Sequence, residues 1–267
     1  MAFTINNCRL DLEDRDLLNA LPEAPMQSAA WKAFNRPAEV NLDWHRTENQ
    51  GQIGSCQGHG ISSVLERLAF VKGEKVQLSE IFAYLATQKI DGLLGRDVGS
   101  TISGGGKLAT TSGVPKEEAT GYPNSYPNSN ERSRILSSEN YKAGEPYKAL
   151  SIWRASENQD ETLDFIGGGG ALSYGISWYQ GLIPSDRIVR KFEPSRNRLL
   201  GGHAMCCLGY TKDGDLRCAN SHADGPYIIL WQAWLQMIQE RNTAAIGLMG
   251  NAEATPVDWY SNSPYFK

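Results

Sequence analysis

Apolar positions fall into two unlike halves along the chain. In the first half they recur at helical spacing. Ile61, Val64, Leu65, Leu68 and Ala69 mark one face of a helix that is predicted from Ser55 to about Lys72. A second helix is predicted from Ser79 to about Gln88, and a short third from about Gly105 to Ser112, with a glycine-rich loop over Gly92–Gly106 between them. Asp11–Leu21 has helical character, and Pro22, Pro25 and Pro37 break the chain beyond it. The second half reads as short strands. Ala171–Trp178, Ala204–Tyr210, Leu216–Ala219 and Tyr227–Leu230 are separated by turn residues such as Lys212-Asp213-Gly214, as an antiparallel sheet requires. Residues 120–147, rich in Pro, Asn, Ser and Tyr, read as an irregular connection between the two halves.

The 267 residues with 40% hydrophobic content can bury a sizeable core. The net charge of −4 and the absence of a basic tract interleaved with aromatics argue against a nucleic-acid partner. The strongest apolar run, Tyr227–Trp231 extended through Ala233, Trp234 and Leu235, is interrupted by glutamine and far short of the ~20 residues that span a bilayer, so no membrane partner is expected. The first residues lack a basic start and an apolar h-region, so a cytoplasmic location is expected, or a host cytoplasm or virion if the source is viral. Five cysteines, an odd number without CxxC pairing, predict neither a disulfide framework nor a structural zinc site, and no metal or other cofactor is expected. Cys206, Cys207 and Cys218 sit in apolar surroundings and read as buried strand residues.

Cys56 is different. It lies in Asn49-Gln50-Gly51-Gln52-Ile53-Gly54-Ser55-Cys56, where a glycine-rich turn opens a helix. The positive end of a helix dipole favours the nucleophilic thiolate, and Gln50 can supply an oxyanion donor. This stretch resembles the nucleophile block of papain-like cysteine peptidases. Gly202-His203-Ala204-Met205-Cys206-Cys207-Leu208-Gly209-Tyr210 resembles that family's histidine block, and Cys218-Ala219-Asn220-Ser221 its Asn-Ser block. His203 follows Cys56 by 147 residues and Asn220 by 164, in the family's order. Leu42-Asp43-Trp44 resembles the start of the mature domain. Leu78-Ser79-Glu80, Tyr84 and Lys89-Ile90-Asp91-Gly92 resemble the bacterial or phage-like branch that lacks the common disulfides. The resemblance covers about residues 40 to 230.

It implies an α+β, papain-like two-lobe fold. A helical lobe over about 39–145 would carry the nucleophile helix and face a β-rich, barrel-like lobe over about 146–267 across a cleft. Residues 1–38 would form an N-terminal extension, a short prosegment or cleft-covering arm acting as an internal inhibitor. The implied activity is cysteine-type endopeptidase action on a protein or peptide substrate, with Cys56 as nucleophile, His203 as base, Asn220 orienting the histidine and Gln50 in the oxyanion hole. Gly99 and Ser100, in Asp97-Val98-Gly99-Ser100, fall where the family presents backbone to substrate; Gly202 and His222 would also contact it.

The chain departs from the family at three places. Ile53 stands where secreted members carry a disulfide cysteine, Gln57 replaces an aromatic, and His222 replaces the tryptophan that shields the Asn–His hydrogen bond. Two alternatives stay open. One is another amide-directed acyl transferase or hydrolase, such as a transglutaminase, deamidase or peptidoglycan amidase. The other is an inactive papain-fold module for binding or assembly. Of the other histidines, His59 reads as a polar helix residue and His45 as a surface residue.

Overall fold

The computed structural model describes residues 8–251 and Pro256. Its described helices are α1 (Arg15–Ala20), α2 (Ala29–Lys32), α3 (Cys56–Val71), α4 (Glu80–Ile90), α5 (Ile102–Thr111), α6 (Ser129–Ile135), α7 (Ser138–Gly144), α8 (Gln159–Gly167) and α9 (Trp231–Ile238). The strands are β1 (Ser151–Arg154), β2 (Ala171–Tyr179), β3 (Ile188–Val189), β4 (Leu199–Tyr210), β5 (Leu216–Ala219), β6 (Tyr227–Ile229) and β7 (Ala244–Met249). They form one sheet in the order β1-β7-β2-β4-β5-β6-β3, antiparallel except for the β3–β6 pair.

α3 is the hub. Every residue from Cys56 to Phe70 is buried, because the helix packs on α4 on one side and on β4 on the other. Ile61, Val64, Leu65 and Leu68 enter a core shared with α4 and α5. A second core, between the sheet and α8 and α9, is built on Tyr174, Ile176, Cys207, Leu216 and Trp234. A helix buried all round needs neighbours on every face, which explains why its apolar stripe is broad.

Three expectations change. The glycine-rich loop is helical from Ile102. Thr101 Oγ1 caps α5 by accepting the Gly104 N–H at 2.9 Å, and the glycines serve close packing rather than looseness. A Cβ on Gly105 would stand 1.7 Å from Gln57 Nε2. The connection 120–147 is not irregular throughout. Asn128 and Glu131 form a capping box that starts α6, and the Ser137 side chain caps α7. The apolar run after Tyr227 splits at Leu230 into strand and helix.

The segment before residue 39 is tied down along its described length. Trp31 is buried in the second core, and Arg36 pairs with Asp160 and Asp164 of α8. Glu13 accepts the Ile102 and Ser103 N–H groups at 2.7 and 2.9 Å, adding a carboxylate to the N-terminus of α5.

Candidate functional site

Cys56 is the first residue of α3, after the turn Gly51–Ser55. That turn is pinned to both halves of the molecule. Gly54 N–H donates to Asp97 Oδ1 at 2.9 Å, and Asp97 also accepts from the Tyr84 hydroxyl at 2.7 Å. Gln50 faces the other way. Its backbone N–H donates to Ser221 O at 2.8 Å, and its Oε1 accepts from the Ser221 hydroxyl at 2.6 Å. Gln50 Nε2 donates to Ile53 O at 2.9 Å. An amide nitrogen carries two hydrogens, so one donor remains for another acceptor.

His203 and Asn220 come from neighbouring strands. His203 lies in β4, and Asn220 follows the last residue of β5. His203 Nε2 lies 2.7 Å from Asn220 Oδ1, and His203 Nδ1 has no hydrogen-bond partner among the described residues. Accepting at Asn220 Oδ1 requires the proton on Nε2 in the neutral imidazole, which leaves the Nδ1 lone pair free. The Ala204 N–H, next along β4 from His203, is directed at the Cys56 thiol, so the sulfur lies against the strand that carries the histidine.

Tryptophan shields this pair after all, from a position the sequence did not mark. Trp178 of β2 packs edge-on against His203 at 4.6 Å between centroids. His222 stacks on the imidazole at 4.3 Å and meets Trp178 edge-on at 5.6 Å, and its Nδ1 lies 3.2 Å from Asn220 Nδ2. His222 is thus a neighbour of the His203–Asn220 pair. Trp178 sat inside an apolar run, and only the β2–β4 register, with Ile176 opposite His203, brings it here.

Ser100 and Gly202 face each other across a strip of chain, and the occupant is the N-terminal segment. Cys8 N–H donates to Gly202 O at 3.1 Å, and Arg9 N–H donates to Ser100 O at 2.9 Å. Cys8 and Ser100 pair as in a parallel sheet. A Cβ on Gly202 would stand 2.1 Å from Cys8 O, so only glycine admits the strand this closely. Gly99 is held from behind, its N–H donating to the Tyr84 hydroxyl at 3.0 Å. The Gln57 side chain stands under this strip, where its Oε1 accepts from the Ser100 hydroxyl at 3.2 Å.

With the strip filled, Cys56 and His203 are both fully buried. Burial pushes the Cys56 thiol up to about 12 against the pull of the backbone N–H groups around it. Burial, with His222 adding to it, pushes His203 down to about 3, while the Asn220 hydrogen bond opposes. Both groups are therefore neutral in this arrangement near pH 7.

His59 and His45 differ from their sequence reading. His59 is buried, not on a polar face, and its Nδ1 lies 3.2 Å from Glu48 Oε2. His45 is half-buried, with its Nε2 2.9 Å from the Ser63 hydroxyl. The described residues that could hold a metal ion are Glu48, His59 and Glu80, and beside them His45, Glu48 and Glu66.

Solved structures share this architecture. Xylellain, a cysteine protease from Xylella fastidiosa, aligns with a TM-score of 0.75 at 20% identity, over 94% of this chain and 98% of that one. The proform of the ragweed pollen cysteine protease Amb a 11 aligns with a TM-score of 0.66 at 15% identity, over 93% and 76%. The Carica candamarcensis cysteine protease CMS1MS2, in complex with E-64, aligns with a TM-score of 0.59 at 16% identity, over 80% and 99%.

The fold is papain-like.

No sequence-family model matches the chain, and no curated protein matches it. At these identities the likeness speaks for the papain-like α+β fold. Among the described residues no helix is long and apolar enough to cross a membrane.

Proposed function

We propose that the chain is a cysteine-type endopeptidase with a Cys56–His203–Asn220 triad. The observation that carries this reading is the His203 Nε2–Asn220 Oδ1 contact of 2.7 Å, with Nδ1 free and the Cys56 sulfur beside Ala204, on a fold shared with cysteine proteases. His203 Nδ1 takes the thiol proton, and the thiolate attacks the scissile carbonyl. The Cys56 N–H and the second Gln50 Nε2 hydrogen hold the oxyanion, and the imidazolium protonates the leaving amine. Water then cleaves the thioester. The strip between Ser100 and Gly202 binds substrate backbone as it binds Cys8 and Arg9 here.

The same reading makes residues 1–38 an inhibitory arm and 39–267 the catalytic domain. The arm occupies the strip that substrate needs, and its Cys8 is near enough for Cys56 to disfavour its ionisation. Once the arm leaves, water reaches both groups and each can ionise.

The test compares the full chain with a chain lacking residues 1–12, which keeps Glu13 on α5. Both are incubated with a mixed peptide pool read by mass spectrometry. Cleavage that is faster in the shortened chain and absent in Cys56→Ala and His203→Ala supports the proposal. Transfer to added amines or side-chain deamidation, without backbone cleavage, points to the acyl-transferase alternative. A shortened chain with an ordinary thiol at Cys56 and no turnover leaves the binding module.

A further inference from the structure

The first turns of α3 bury a second cluster that peptide hydrolysis does not use. His59 lies one turn beyond Cys56, Glu48 precedes Asn49-Gln50, and Glu80 opens α4. All three are at least nine-tenths buried. One donor atom from each lies within 4.8 Å of the other two.

One guanidinium anchors the carboxylates of this cluster. Arg46 pairs with Glu48 Oε1 at 2.7 Å, with Glu80 Oε1, and with Glu117 Oε2 at 2.6 Å. Of the three carboxylates around this one guanidinium, Glu48 and Glu80 are out of water. Arg46 also fixes orientation, because it takes the first oxygen of each buried carboxylate. Of the second oxygens, Glu48 Oε2 lies 3.2 Å from His59 Nδ1, and Glu80 Oε2 receives no hydrogen bond from a donor. His59 Nε2 has none either. Buried polar atoms without partners are rare in folded proteins and call for a partner such as a water or an ion.

We propose that Glu48, His59 and Glu80 bind a divalent first-row transition-metal ion, with Arg46 holding the two carboxylates in place. Two carboxylates and an imidazole are a hard-to-borderline donor set that suits Zn²⁺ or Co²⁺ better than Ca²⁺, which takes oxygen ligands. An ion of charge +2 would stand beside two carboxylates that are out of water. Donors bonded at ~2.0–2.2 Å to one ion lie roughly 3–4 Å apart, so small side-chain rotations close the site from its present spacing. Glu48 and His59 line a void of about 10 Å³ that also touches Cys56 and Asn220, room for about one water molecule. The ion would brace Glu48, and with it the turn that carries Gln50, against the first turn of α3. It is a structural ion, and its binding does not depend on the peptidase reading.

Zn²⁺ also binds cysteine–histidine pairs, so the experiment uses the full chain carrying Cys56→Ala. Equilibrium dialysis against Zn²⁺ with elemental analysis gives stoichiometry, and thermal unfolding with and without Zn²⁺ gives the shift. One Zn²⁺ per chain and a raised midpoint are expected. His59→Gln and Glu80→Gln in the same background should each weaken binding at least ten-fold and abolish the shift. Should a variant fail to fold, the zinc X-ray absorption spectrum of the Cys56→Ala protein decides: one imidazole with oxygen donors and no sulfur supports the site. Absence of stoichiometric Zn²⁺, sulfur in the first coordination sphere, or undiminished binding in folded variants overturns it. Peptide cleavage enters none of these readouts, so the failure of either proposal leaves the other standing.

Discussion

At the scale of single residues the site is a set of side chains that hold one another. Gln50 is the clearest case, because its amide reaches in two directions. Its carbonyl is fixed by Ser221, which keeps Nε2 turned toward the Cys56 turn. Under the proposed mechanism Gln50→Ala should lower kcat by about 10²–10³-fold with KM little changed, the effect of losing one oxyanion donor. Ser221→Ala leaves the donor in place but untethers it. Loss of about 1 kcal/mol of positioning should lower kcat roughly five-fold. Steady-state kinetics on the chain without residues 1–12 reads both. Equal effects for the two variants would mean that Gln50 matters for its link to Ser221 and not as a donor. The sequence offered Cys56, His203, Asn220 and Gln50 because motif and spacing are local. It could not offer Trp178 or the burial of His59. Trp178 depends on which residues of β2 face β4, and His59 on a helix packed on all sides, with Glu48 beside it.

Among the elements, the contact between α3 and α4 sets where Cys56 stands. Gly58, two residues after Cys56, lets α4 approach so closely that an added Cβ would lie 2.4 Å from Glu80 O and 2.9 Å from Tyr84 Cβ. Both obstacles belong to the backbone or its first side-chain atom and cannot swing away. Gly58→Ala must therefore push the helices apart. Overpacking of this kind costs about 1–3 kcal/mol, or a melting temperature roughly 3–10 °C lower. Cys56 should move with α3, so kcat/KM should fall as well; an unchanged melting temperature would show that the helices have slack. The elements legible in the sequence were the ones with strong periodicity. The predicted bounds of Ser55 to about Lys72 compare with Cys56–Val71, and β5 was predicted with its observed ends. β1 and β7 escaped notice because four- and six-residue strands at the far side of a sheet carry little pattern of their own. The helices within 120–147 escaped because capping residues are also turn residues, and their role shows only in the presence of the helix they start.

Across the whole molecule, the arm and the buried pair are coupled through protons. His203 is pushed from an ordinary 6.5 down to about 3 while the cleft is filled. An imidazole exposed by withdrawal of the arm would take up a proton near 6.5. The open form thus binds more protons than the closed form between about pH 6.5 and 3, so the closed form loses stability as pH falls through that window. The limit is about 5 kcal/mol for a shift of that size. Cys56 acts from the other side. Its thiol is raised from 9.0 to about 12, so ionisation favours opening above about pH 9. His45, pushed down to about 4 by burial, adds a second acid-side contribution, which loosens the fold rather than the arm alone. The arm should therefore be held most tightly between about pH 6.5 and 9. Hydrogen exchange of residues 8–13, corrected for intrinsic rates, reads this through the Cys8 and Arg9 amides that donate to Gly202 and Ser100. Protection should decline about ten-fold per pH unit below 6.5, one proton's worth, and His203→Gln should flatten the decline. Constant protection from pH 7 to 4 in the unsubstituted chain would mean that Trp178 and His222, and not the arm, keep water from His203.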